Sequence, residues 1–115
     1  MVLSRMQNNL NLKRIAEKTF ESLSSILENI LEDKGEIEET GDMMEILFPN
    51  KTTILLNFHT PSSQIWFSSP LSGALHFSWD DHQRKWLSTR LPHEDLFICL
   101  EKDLSQLCGF SVDLR

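Results

Sequence analysis

The chain has 115 residues, of which 17 are acidic and 11 basic, for a formal charge of −6. That length fits one domain, residues 1–115, with one core. A composition of 40% hydrophobic and 24% charged residues excludes a disordered chain.

The charge is unevenly spread. Ten acids and two bases fall between Glu17 and Glu45, a local net of −8, against +2 for the remainder. A phosphate-backbone binder needs a basic footprint, so nucleic acid is excluded as a partner. A cationic partner is favoured, either a metal ion or a basic protein surface. No run of about 18 apolar residues is present, so no membrane span is expected. Residues Met1–Asn9 contain no apolar stretch of secretory-signal length, which predicts a cytoplasmic protein.

In chain order, the first element is a helix predicted from about Leu10 to Asp33. Leu12, Ile15, Ala16, Phe20, Leu23, Ile26, Leu27, Ile30 and Leu31 recur at helical spacing. Asn9 or Asn11 is the expected N-cap. Lys34-Gly35 reads as the stop, a base followed by glycine. The period then changes to two. A short edge strand is predicted near Glu36–Glu39, then strands around Met44–Phe48, Ile54–Phe58, Gln64–Ser68, Leu75–Trp79 and Arg84–Thr89. Pro49-Asn50-Lys51, Thr60-Pro61-Ser62, Ser69–Gly73 and Asp80–Gln83 separate them as turns. Such close spacing predicts an antiparallel meander. Helical spacing returns at Leu96, Phe97, Leu100, Leu104 and Leu107, with His93-Glu94-Asp95 expected in the first turn and Gly109 as the stop. The alternating tail Phe110, Val112, Leu114 is expected against the core. The predicted fold class is α+β: a two-layer α/β sandwich, with an antiparallel sheet of five or six strands covered on one face by the N- and C-terminal helices.

Two surfaces carry candidate chemistry. At about 100° per residue, Glu17, Glu21, Glu28 and Glu32 fall within about 60°, nearly opposite Leu12, Leu23, Ile26 and Ile30. Asp33, Glu36 and Glu38 extend this stripe past the helix. One reading is the solvated face of an acidic protein. The other is a docking or cation site, whose oxygen-only ligands suit hard ions and hold them weakly. On the sheet, strand parity points Ile54, Leu56, Phe58, Ile65, Phe67, Leu75, Phe77 and Trp79 at the helices. The opposite face then displays Asn57, His59, Gln64, Trp66 and His76. A Trp flanked by amides on an open sheet is a partner hot-spot pattern.

No catalytic set is apparent. Nucleophile-elbow, phosphate-loop and zinc-protease motifs are absent. His59, His76, His82 and His93 are scattered over different elements. Cys99 and Cys108 lack metal spacing, and both are expected as reduced thiols, with Cys99 on the apolar helix face.

The segment Asn57-Phe58-His59-Thr60-Pro61-Ser62-Ser63-Gln64-Ile65-Trp66-Phe67-Ser68-Ser69-Pro70-Leu71-Ser72-Gly73 resembles the signature of the frataxin/CyaY family. Gly41–Pro61 and the ending Gly109–Arg115 are also similar to members of that family. The resemblance spans about residues 10–115 and implies the sandwich fold read above. It also implies a non-enzymatic protein that binds ferrous and ferric iron weakly at surface carboxylates. Such a protein docks on the cysteine desulfurase–scaffold complex of iron–sulfur cluster assembly and regulates it or supplies it with iron. Glu17, Glu21, Glu28, Glu32 and Glu36 match the family's acidic ridge, with Asp33 and Glu38 beside it. Asn57, Gln64 and Trp66 match its sheet contacts, and His59 and His76 stand at two more of those positions. Ser25 and Asn29 replace common ridge acids. Glu39 replaces an apolar residue, which predicts a short or shifted first strand. The family also implies a monomer that forms oligomers with iron, in bacterial cytoplasm or, as a processed eukaryotic form, in the mitochondrial matrix. The alternative activity is a ferroxidase that oxidises and detoxifies iron. A third reading is an acidic interaction module with no metal role.

Overall fold

A computed structural model describes the backbone of residues 2–114 and the side chains of residues 10–114; Met1 and Arg115 lie outside it. Helix α1 runs over Val2–Leu31 and is followed by a short 3₁₀ turn, Glu32–Lys34. Six strands follow: β1 (Glu36–Thr40), β2 (Met43–Leu47), β3 (Thr53–His59), β4 (Gln64–Ser69), β5 (Gly73–Asp80) and β6 (Lys85–Ser88). Helix α2, Leu96–Cys108, closes the order. Each strand pairs antiparallel with the next, giving one sheet in the order β1-β2-β3-β4-β5-β6. This is the predicted two-layer α+β sandwich with all six strands. No helix of the described residues is long and apolar enough to cross a membrane.

The core lies between one sheet face and both helices. Leu23, Leu27, Ile46, Ile54, Leu56, Ile65, Phe77 and Leu100 are fully buried in one cluster. Strand alternation is therefore read correctly from sequence: the inward positions of β2 to β4 are apolar except Ser69 at the end of β4, so only one register buries them. Leu75 and Trp79 of the inward set are partly buried and pack on this cluster. Trp86 is 2% exposed and donates its indole N–H to Thr19 Oγ1 at 3.1 Å, joining β6 to α1.

The helix ends differ from expectation. α1 does not begin at an Asn9 or Asn11 cap but continues to Val2. Leu3, Met6 and Leu10 extend the helical spacing, and no Gly or Pro interrupts it. At its other end Glu32 takes φ 48°, the left-handed conformation, and breaks the helix before glycine is reached. Gly35 itself is extended at φ −173°. Its small size serves close approach, because a Cβ there would lie 3.2 Å from the Leu47 carbonyl oxygen. β1 is neither short nor shifted: all five residues pair with β2. His93-Glu94-Asp95 precede α2 rather than forming its first turn. Asp95 is the N-cap, accepting from the Phe97 N–H at 3.1 Å. Gly109 ends α2 at φ 79°, as expected. In the tail Val112 and Leu114 are buried but Phe110 is exposed. The Val112 and Leu114 N–H groups are held by Ser105 Oγ and Glu101 Oε2.

Candidate functional site

The acidic surface is built by three elements. Glu17, Glu21 and Glu28 lie on the exposed side of α1, opposite buried Ala16, Phe20, Leu23 and Leu27. A rise of about 1.5 Å per residue puts about 6 Å between the levels of Glu17 and Glu21, and about 10 Å between those of Glu21 and Glu28. Ser25 occupies that gap. Asn29, the other ridge position without an acid, turns its amide back to the Ser25 carbonyl at 3.3 Å. Glu32 is exposed but stands at the helix break, so the angular alignment holds only for the first three. Asp33 and Glu36 line one cleft of about 450 Å³ beside the Pro49–Lys51 turn, with Lys51 also in its wall.

Glu36 and Glu38 both belong to the outer face of the sheet, away from the helices. Register places Glu38 opposite Glu45, and Glu36 opposite Leu47. Because Met44 and Ile46 point inward, Glu36, Glu38 and Glu45 share the outer face. Glu45 is the functional candidate that the sequence reading missed. It stands out only once β1 and β2 are paired, since two carboxylates directly opposite each other repel. Among the described residues, none of the seven predicted metal carboxylates is in an ion pair; the three pairs are Lys13–Asp42, Arg84–Asp81 and Lys102–Glu94. Nor does any group of three or more His, Cys, Asp or Glu side chains among those residues converge so that it could hold a metal ion. The ridge therefore offers one or two carboxylate oxygens at a time to a hard cation, with water completing its shell.

The outer sheet face carries the second site. One transverse row reads Thr40, Met43, Asn57, Trp66, His76 across β1 to β5. The neighbouring row contains His59, Gln64 and Ser78. All five predicted partner-binding residues thus fall on adjacent rows of one face, none of them buried. Their side chains are already joined. The His59 and Trp66 rings stack with centroids 3.6 Å apart, and the Trp66 and His76 rings at 4.3 Å and 6° between planes. Trp66 Nε1–H donates to Gln64 Oε1 at 3.1 Å, and Gln64 Nε2 donates to Ser78 Oγ at 3.2 Å. His59 Nδ1 shares a 2.7 Å hydrogen bond with Ser62 Oγ. Trp66 is therefore not an indole with free faces awaiting a partner. It is the middle ring of a preassembled three-ring stack, with the Asn57 amide beside it in the same row.

The rows also order the charge. Glu38 and Glu45 stand one row from the stack at the β1–β2 edge, whereas Asp80 and Lys85 pair across β5 and β6 at the far edge. The cysteines are remote from both sites. Cys99 is 3% exposed and Cys108 partly buried; both are free. Burial first, then the neighbouring Glu94 carboxylate, pushes the Cys99 thiol up to about 12.

Comparison with known proteins agrees with this architecture. The frataxin-like domain family matches residues 6–110. A mitochondrial frataxin of Dictyostelium discoideum is 31% identical over 106 residues, covering 87% of this chain and 53% of that protein. The chain thus spans about half the length of its mitochondrial relatives. The iron-sulfur cluster assembly protein CyaY of Paraburkholderia phytofirmans is 30% identical over 98 residues, covering 83% of this chain and 90% of that one. Among solved structures, frataxin from Psychromonas ingrahamii superposes with a TM-score of 0.82 over 93% of this chain and 97% of that chain, at 17% identity, which speaks for the fold. Trimeric frataxin from the yeast Saccharomyces cerevisiae, complexed with ferrous iron, superposes with a TM-score of 0.73 at 26% identity, over 83% of this chain and 86% of that one. Fold, motif positions and relatives converge: the chain belongs to the frataxin/CyaY family.

Proposed function

We propose that this chain serves iron–sulfur cluster assembly, docking on the cysteine desulfurase–scaffold complex and tuning its rate or bringing it iron. The observation that carries the reading is the run of exposed carboxylates from Glu17 to Glu38, without ion-pair partners among the described residues and retained beside the Glu38–Glu45 repulsion. A surface selected only for stability would interleave lysines along α1 and set a base opposite Glu38. A basic partner surface or an iron ion supplies the missing positive charge. Relatives named for iron-sulfur cluster assembly, and a relative complexed with ferrous iron, support the same reading.

In this mechanism iron is cargo. Fe²⁺ or Fe³⁺ rests on single carboxylates or carboxylate pairs of Glu17, Glu21, Glu28, Glu32, Asp33, Glu36 and Glu38, with most of its water retained. Such holding is weak and exchange is fast, as suits delivery rather than storage. The ridge steers the chain to basic desulfurase residues through long-range attraction that salt screens. The Trp66 stack and Asn57 then fix orientation on the scaffold, because rigid rings lose little entropy on docking. We assign the chain a non-enzymatic role. The separated carboxylates, and histidines that stack on Trp66 rather than beside those carboxylates, support that over a ferroxidase with a bridged di-iron carboxylate site. Two free thiols suit a reducing compartment, the bacterial cytosol or the mitochondrial matrix.

The test is a desulfurase–scaffold turnover assay with increasing amounts of this chain, with and without Fe²⁺. A saturable change of rate that depends on the chain is expected. A rate indifferent to the chain at every iron level overturns the reading.

A further inference from the structure

We infer that β1 is a strand-pairing edge, which takes up an extended, basic segment of a protein partner as an added strand of the sheet. The inference deepens the docking role proposed above, by naming how part of the acidic surface is engaged, and rests on it.

The two ends of the sheet differ. β6 is already covered: the Ser88 N–H donates to the Glu94 carbonyl at 2.8 Å, and Leu87 bridges to Asp95. β1 is last in the strand order on the other side, and among the described residues no strand or loop pairs with its outer edge. The register decides which backbone groups are open there. Gly41-Asp42 is a two-residue turn with Gly41 at φ 60°, so Thr40 and Met43 close the hairpin as a hydrogen-bonded pair. Pairs alternate along an antiparallel ladder, so Glu38 with Glu45 and Glu36 with Leu47 are bonded in the same way. The far side of β2 agrees, because the Asp42 carbonyl accepts from the Phe58 N–H at 2.9 Å and thus faces β3. The N–H and C=O groups of Ile37 and Glu39 therefore point away from the sheet. They stand about 7 Å apart, the two-residue repeat of an extended strand.

This edge lacks the usual protections against pairing. β1 is bonded to β2 along its whole length without a bulge, and it contains no Pro or Lys. It carries instead Glu36, Glu38 and Glu39, all exposed and none in an ion pair among the described residues. These acids select the occupant. A second copy laying its β1 against this one would bring like charges together, which destabilises a sheet. A basic strand answers them. Its residues on either side of the one opposite Ile37 fall on the outer face, across from Glu36 and Glu38, with Glu45 one strand behind. The residue opposite Ile37 itself falls on the helix side, where Ile37 packs on the core cluster. The segment that fits is extended and basic at alternate positions, and its main chain supplies the pairing.

The probe is a short capped peptide of alternating lysine and threonine, titrated into the full chain while amide exchange is read by NMR. Saturation should slow exchange of the Ile37 and Glu39 N–H groups by about tenfold or more, and leave that of Glu38, already bonded within the hairpin, unchanged. The same peptide N-methylated at its threonines keeps its charge but loses the N–H groups that would face β1. It should bind about tenfold weaker and protect neither amide. Glu39→Pro removes an N–H that β2 does not use, so the hairpin is kept while peptide binding falls by about tenfold. Glu39→Gln, which keeps that N–H, should retain the protection. Unchanged amide spectra in β2 to β6 exclude misfolding; should Glu39→Pro disturb them, the two peptides alone decide. Equal binding of the two peptides, no protection of Ile37 and Glu39, or a folded Glu39→Pro that binds as tightly as Glu39→Gln each overturns the inference. The docking role is judged separately: if Glu39→Pro binds the desulfurase–scaffold complex like the parent while Glu28→Lys/Glu32→Lys does not, docking stands and strand pairing falls.

Discussion

Glu38 on β1 and Glu45 on β2 stand directly opposite each other on the outer face of the sheet, two carboxylates at a cross-strand pair site with no ion-pair partner among the described residues. Nothing in the fold requires this pair. Cross-strand pairs of opposite charge stabilise a sheet and like charges destabilise it, by a few tenths to about 1 kcal/mol. The arrangement makes sense if this edge is kept negative for a partner.

Glu38→Lys is therefore expected to stabilise the chain by about 0.5–1 kcal/mol while weakening its docking. Thermal melting and desulfurase binding measured on the same variant check both halves. A variant that melts lower, or one that docks as tightly as the parent, contradicts the functional reading of the pair.

The two tryptophans should separate cleanly. Trp86 is 2% exposed and tied to Thr19, so Trp86→Ala is expected to cost about 3–5 kcal/mol. Trp66 lies outside the core between two imidazoles, so Trp66→Ala should cost only about 1–2 kcal/mol, the worth of its ring contacts. Denaturant unfolding measures both. Loss of regulation in Trp66→Ala with the fold intact is the expected pattern; a collapse in stability would make Trp66 a structural residue.

Alkaline pH should weaken the fold through Cys99. Its thiol is raised to about 12 in the folded chain, above its ordinary value near 9, so the folded state keeps a proton that the unfolded chain gives up. Stability is thus full below about pH 9 and falls as pH rises toward 12. Cys99→Ala should flatten that slope in melting curves taken across the range. Thiol titration of the native chain should find Cys108, partly buried, reacting before Cys99.

Much of the fold is legible from sequence because β2 to β4 alternate between buried and outward residues, the buried ones apolar except Ser69 at the end of β4. Such a pattern admits one register, and register carries Asn57, Trp66 and His76 into one row. The helix ends are less legible. Asn9 and Asn11 have cap chemistry, yet the apolar spacing continues past them. Glu32 adopts a left-handed conformation that favours Gly or Asn, so a break just ahead of Gly35 leaves no mark in residue type. The closed faces of Trp66 depend on a diagonal contact from His59 on β3, which parity alone does not specify. Glu45 is visible in the sequence only as one of the ten acids between Glu17 and Glu45, and acquires meaning only opposite Glu38.

The central claim is that the acidic surface docks the chain on a basic face of the desulfurase complex. Its most direct test is the affinity of Glu28→Lys/Glu32→Lys for that complex across a salt series. Reversing two exposed charges should weaken binding by about tenfold or more at low salt and flatten the salt dependence. An affinity and a salt slope equal to those of the parent chain would contradict it.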